Sequence, residues 1–192
     1  MITIVSGLPR SGTSLMMQML SAGGMPILTD GERTSDNDNP RGYYEWEPVK
    51  LLAKNPELIA QAEDKAVKVI SQLLFALPPS RDYRIIFMRR PLPEVLASQS
   101  EMLRRRGQFA PAPPEPAMSD AFERHLTQVT AWLKGKRSIA VANVEYHDLL
   151  REPGRVAETL RDFLSAPLDV EAMARQVDPA LYRQQSIQVQ DK

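Results

Sequence analysis

The chain of 192 residues contains no cysteine. That excludes disulfides, zinc–thiolate sites and cysteine nucleophiles, and it fits a reducing compartment. It also has no net charge, because 24 Lys and Arg balance 24 Asp and Glu. Nothing global then draws it to nucleic acid or a membrane surface, so any anion site must be local. No apolar run reaches membrane-spanning length, and no internal repeat is present. The opening "MITIVSG" lacks the basic-then-apolar pattern of a signal peptide. The expectation is a cytoplasmic protein with no membrane span and no nucleic-acid partner.

What remains is an ordinary globular composition, 43% hydrophobic and 25% charged, at a length that suits one domain spanning residues 1–192. "ITIVSG", "KAVKVI", "YRIIFM" and "SIAVANVEY" are apolar, β-branched runs that predict strands, and "MPILT" predicts a further short one. "GTSLMMQMLSAGG", "PLPEVLASQSEMLRRR", "SDAFERHLTQVTAWLKGK", "EPGRVAETLRDFLS" and "DVEAMARQV" predict helices, with Ser119 as N-cap of the third. "EPVKLLAKNPELIAQAE" predicts two short helical pieces broken at Asn55-Pro56. Strands alternating with helices, and strands without polar alternation, predict a three-layer α/β fold: a central, mainly parallel sheet flanked by helices. In such folds ligands sit at the carboxyl ends of the strands.

Two strand ends carry the chemistry. "SGLPRSGTS" after the first strand has the glycine spacing of G-x-x-x-x-G-K-S/T, but Thr13 stands where the lysine belongs and Arg10 lies inside the loop. Loop N–H groups and the start of the next helix favour an anion there, Thr13 and Ser14 add hydroxyls, and Arg10 adds a permanent planar cation. "YRIIFM" runs into Arg89 and Arg90, where a magnesium-dependent P-loop enzyme commonly has a metal-holding Asp. Two cationic anion sites without a metal carboxylate suit a ligand with phosphates at both ends better than a triphosphate.

These residues resemble the P-loop sulfotransferases, including their small bacterial relatives. That family uses 3′-phosphoadenosine 5′-phosphosulfate, and it needs no metal. "GLPRSGTSLM" is similar to the family's 5′-phosphosulfate loop, and "RRPLPEVLAS" to its 3′-phosphate motif. The resemblance implies that Pro9, Arg10, Ser11, Gly12, Thr13 and Ser14 hold the 5′ end and that Arg90 and Ser98 hold the 3′-phosphate. Arg89 would be a neighbouring extra cation. "AVKVISQLLFALP" resembles the V-K-T-H-L-P segment, which puts Lys68 at the lysine that neutralises charge on the transferring group. "VEYHDLLREPGRVAETLRDFL" resembles the late Y-E-D-L segment, which puts Tyr146 near the adenine. The implied reaction moves a sulfuryl group to a hydroxyl or amine acceptor. The family's histidine base falls at Ile70, and its R-K-G loop has only Arg183 as a weak substitute.

A carboxylate within reach of the acceptor hydroxyl can replace that histidine. Glu45, beside aromatic residues expected to raise its pKa, and Glu32, in "TDGERT", are the two candidates. His125 reads as a surface or helix-packing residue and His147 as a capping residue. Tyr43, Tyr44 and Trp46 either line an acceptor pocket or pack the following helix. "RRRGQFAPAPPEP" is either a lid or a connector. Two rival readings stay open: a P-loop kinase or NTPase with a degenerate loop, and a catalytically inactive nucleotide-binding module.

Overall fold

The computed structural model describes residues 1–36, 39, 41–105, 107 and 116–178. Its sheet has five strands: β1 (Ile2–Gly7), β2 (Ile27–Leu28), β3 (Ala66–Lys68), β4 (Tyr83–Arg89) and β5 (Ile139–Glu145). Their order across the sheet is β2-β3-β1-β4-β5, and every pairing is parallel. The helices are α1 (Thr13–Ala22), α2 (Leu92–Arg105), α3 (Pro116–Leu133), α4 (Tyr146–Arg151), α5 (Pro153–Leu164) and α6 (Val170–Ala174). This is the three-layer α/β arrangement expected from the alternation of strand and helix patterns.

Side chains on a strand alternate between the two faces of the sheet, and both faces here are apolar. In β4, Tyr83, Ile85 and Phe87 enter one core, while Ile86 and Met88 enter the other. In β1, Ile2 and Ile4 take the first side and Val5 the second. The second core is closed by Met16, Met17 and Leu20 of α1, Leu160 of α5 and Met173 of α6. The first is closed by Val129 of α3 with Trp46, Leu52, Ile59 and Leu74. A fully buried side chain of this size contributes about 1.5–3 kcal/mol, so β1 and β4 are anchored from both sides.

The register sets the site. Val5 pairs with Lys68, Gly7 with Met88 and Arg89 with Glu145, so four strands end along one edge of the sheet. The chain leaves β1 toward β2 on one side, whereas β4 lies on the other, and a crevice opens between the departing loops.

The two short helical pieces expected around Asn55-Pro56 are present as 3₁₀ helices, Glu47–Leu51 and Pro56–Ala62. Other local expectations are corrected. A third 3₁₀ helix, Ser71–Ala76, follows β3 unannounced. Ser119 is not an N-cap: α3 starts at Pro116, since a first helical position tolerates a residue without an N–H. Tyr146 does not extend the strand but opens α4. Among the described residues no helix is long and apolar enough to cross a membrane. Most of "RRRGQFAPAPPEP", and Arg183, lie outside the described residues.

Candidate functional site

The loop after β1 depends on two glycines. A Cβ on Gly7 would stand 2.5 Å from Ser11 Oγ and 2.8 Å from the Met88 carbonyl oxygen, so only glycine lets the chain fold back on β4. Gly12, with φ 101°, caps α1, and a Cβ there would stand 2.6 Å from the Tyr146 ring. Arg10 between them is also left-handed, at φ 69°. Among the described residues no side chain caps the N-terminus of α1, and its first turn has no acidic residue. Its first N–H groups are thus left for an anion, which its dipole also favours.

A cleft of about 320 Å³ lies above this helix start. The two cationic sites expected at separate strand ends share it. Arg10 Nε donates to Ser98 Oγ at 3.0 Å, and an Arg90 terminal nitrogen donates to the Arg10 carbonyl at 3.1 Å. The Arg90 guanidinium lies 4.7 Å from the centre of the Tyr146 ring and is paired with Glu94 at 2.9 Å. Adjacency of β1 and β4 makes this meeting possible. Arg10 therefore reaches across from the loop toward α2 rather than staying at the helix start.

On the other side of β1, Lys68 ends β3 with its side chain only 7% exposed. Its ammonium donates to the Tyr43 carbonyl, to Ser14 Oγ at 3.3 Å and to Glu45 at 3.3 Å. Burial pushes its pKa down, outweighing the pull of Glu45. Glu45 also accepts two contacts from Arg33, at 2.9 and 3.1 Å, and Arg33 stacks 3.4 Å from the centre of the Tyr43 ring. Burial alone would raise the Glu45 carboxyl, but Lys68 and Arg33 together hold it below the usual carboxylate range. This reverses the sequence expectation, which counted only neighbouring aromatics.

Of the residues singled out from sequence, Pro9, Arg10, Gly12, Thr13, Ser14, Glu45, Lys68, Arg90, Ser98 and Tyr146 line the cleft. Ser11 does not. Its side chain is buried beneath the loop, its hydroxyl has no hydrogen-bond partner among the described residues, and its N–H is used by the Leu8 carbonyl. Glu32 is exposed and is not among the residues lining the cleft. Arg89 turns away toward Glu145 and Asn143, so it is no extra cation here. His147 meets Glu94 at 3.0 Å. His125 meets Ser71 at 2.8 Å, where α3 docks on the turn after β3. Tyr43 lines the cleft, while Trp46 and Tyr44 pack against the two cores.

Sequence reading missed Arg33, Asn39, Arg41, Glu101 and Asp178, which also line the cleft. For Glu101 a signal existed. Ser98, Glu101, Met102 and Arg105 are spaced i, i+3, i+4 and i+7, one face of α2.

No protein-family model matches the chain, and no curated protein matches it. Solved structures do. Sulfotransferase STF9 from Mycobacterium avium aligns with TM-score 0.58 at 15% identity, over 96% of this chain and 69% of that one. Sulfotransferase STF1 from Mycobacterium tuberculosis gives 0.57 at 16% identity, over 94% and 73%. Mouse sulfotransferase SULT7A1, complexed with PAP, gives 0.55 at 14% identity, over 97% and 66%. The likeness at these identities is one of fold, and it agrees with the resemblance carried by the two anion-site motifs.

Proposed function

We propose that this chain is a sulfotransferase that moves a sulfuryl group from 3′-phosphoadenosine 5′-phosphosulfate to a hydroxyl or amine acceptor. One observation carries the reading. Arg10, Arg90 and Ser98 converge in a single cleft whose other wall holds a buried Lys68, so basic side chains stand at both ends of it. This donor set fits an anionic nucleotide with charge at each end, as does an α1 N-terminus without a capping side chain. The sulfotransferase fold supports the same reading.

When bound, the donor supplies an activated sulfuryl group on a phosphate leaving group. Thr13, Ser14 and the start of α1 bind its 5′ end, Arg90 and Ser98 bind the 3′-phosphate, and Arg10 spans the two. Tyr146, against Gly12 and beneath Arg90, faces the nucleoside. Lys68 holds a partly dehydrated positive charge in reserve, which stabilises negative charge developing on the leaving phosphate. Glu45 is held ionised, so it has room for the acceptor's proton as the acceptor oxygen or nitrogen bonds to sulfur and the old S–O bond breaks. Glu32 lies outside the cleft, so Glu45 is the proposed base. The cysteine-free composition suits a cytoplasmic place of action.

Thermal unfolding with adenosine 3′,5′-bisphosphate against ATP with Mg²⁺ tests this. The bisphosphate at about 100 times its Kd should add about 2.7 kcal/mol of stability. A response to ATP with Mg²⁺ alone overturns the reading in favour of a degenerate kinase or NTPase. Bisphosphate binding without turnover on a panel of hydroxyl and amine acceptors indicates an inactive binding module.

A further inference from the structure

We propose that Glu94 is a positioning residue that sets the preference for a nucleotide bearing a 3′-phosphate, with His147 as its second support. The inference rests on the donor-binding reading above. Glu94 sits in the first turn of α2 with its side chain 1% exposed, and its two oxygens are divided between two partners. Oε2 accepts from Arg90 Nε at 2.9 Å, and Oε1 lies 3.0 Å from His147 Nε2. A carboxylate this deeply buried is retained only against such partners.

The consequence falls on Arg90. A guanidinium is planar, so fixing two of its nitrogens fixes the whole fork. Glu94 takes Nε, and the Arg10 carbonyl takes a terminal nitrogen at 3.1 Å. The Tyr146 ring supports the guanidinium 4.7 Å away. The fork is thus oriented before any ligand arrives, which lowers the ordering cost of binding a phosphate. His147 directly follows Tyr146 at the start of α4. One short segment therefore supplies both the ring against Arg90 and the imidazole on Glu94.

A purely electrostatic role predicts the opposite sign. A carboxylate beside Arg90 weakens the local field for anions, so removing its charge would tighten phosphate binding. Positioning predicts that removal loosens it, and only for the ligand that uses Arg90.

The test measures Kd for adenosine 3′,5′-bisphosphate and for AMP, by calorimetry, in the wild type, Glu94→Gln and His147→Ala. Glu94→Gln should weaken the bisphosphate about tenfold, the scale of one lost hydrogen bond to a charged group, and AMP less than about twofold. His147→Ala, at a half-exposed position, should fold normally and weaken the bisphosphate about threefold with AMP unchanged. Equal losses for both nucleotides, or tighter bisphosphate binding in Glu94→Gln, overturn the proposal. If Glu94→Gln does not fold, an unchanged preference in His147→Ala overturns it. A wild type that binds neither nucleotide, or binds both equally, refutes the donor-binding reading instead.

Discussion

The two ends of the cleft are built in different ways. At the end of β4, Arg90, Glu94 and Ser98 come from one short run of sequence, and the Arg90 and Glu94 side chains are 7% and 1% exposed. At the end of β3, Ser14, Arg33, Tyr43, Glu45 and Lys68 come from separate segments, and Arg33 and Glu45 keep 34% and 24% exposure. The first end is buried and internally paired, and its geometry is local. At the second, Lys68 and Ser14 both donate to the Tyr43 carbonyl. Any ligand group reaching those donors competes with the protein's own contacts. Tightly paired and partly exposed charges thus occupy opposite walls of one crevice.

Arg90→Ala should break the first end most severely. It strands Glu94, a buried carboxylate, with His147 as its remaining partner of the two described. Breaking a buried pair this way costs about 3 kcal/mol, read as a drop in denaturant midpoint at constant slope. Bisphosphate affinity should fall far more than AMP affinity. A variant as stable as the wild type would show that Glu94 is not held as an ion in the folded protein.

Lys68→Met should strike the other end with nearly the same energy but in a different observable. The side-chain volume is kept and Glu45 keeps Arg33. Turnover should drop about 100-fold, the lower range for losing one stabilising donor. Bisphosphate Kd should stay within about threefold, because the first end does the holding. A large loss of affinity with unchanged kcat would merge the two ends and refute the division of labour.

Glu45 gives a smaller effect that depends on pH. Its carboxyl is held below the ordinary value in the folded state by Lys68 and Arg33, which outweigh burial. The stability from those pairs is therefore present above the ordinary carboxylate range and is lost as pH falls through the folded value. Partial exposure limits it to about 1 kcal/mol, or roughly 2–4 °C in Tm. Near neutral pH the wild type should melt above Glu45→Gln, and the gap should close on acidification. A gap that persists into acid would mean that packing, not charge, ties Glu45 in place.

The same contrast explains what the sequence disclosed. β1 and β4 were legible because both faces are buried, which leaves unbroken apolar runs between turn residues. The β4 end was legible because Arg90, just after the strand, and Ser98, on α2, lie in one short run at a fixed spacing. The 3₁₀ turn after β3 was not, since a short tight turn leaves no apolar period. Arg33, Asn39 and Arg41 were not, since a polar loop carries no pattern showing which side chains face inward. Glu45 was misjudged because its lowering comes from Lys68 and Arg33, 23 and 12 positions away, and not from Tyr43, Tyr44 or Trp46 beside it. The direction of Arg10 follows from a left-handed backbone that no spacing rule announces.

Arg89 and Arg90 make the narrowest test, because they are adjacent in sequence and divided by geometry. β4 runs through Arg89, so the strand's alternation sends that side chain to the face opposite Met88 and the same as its register partner Glu145. There Arg89 is 42% exposed, 3.7 Å from Glu145 and 3.4 Å from the Asn143 side chain. An exposed pair of this kind contributes between about 0 and 1 kcal/mol. Arg89→Ala should leave bisphosphate affinity within about twofold and shift the unfolding midpoint only slightly. Reading Arg89 as a neighbouring extra cation predicts otherwise, since a second cation at the phosphate would cost affinity when removed. If Arg89→Ala weakens the bisphosphate as much as Arg90→Ala does, the two arginines act on one ligand and the division imposed by the strand is wrong.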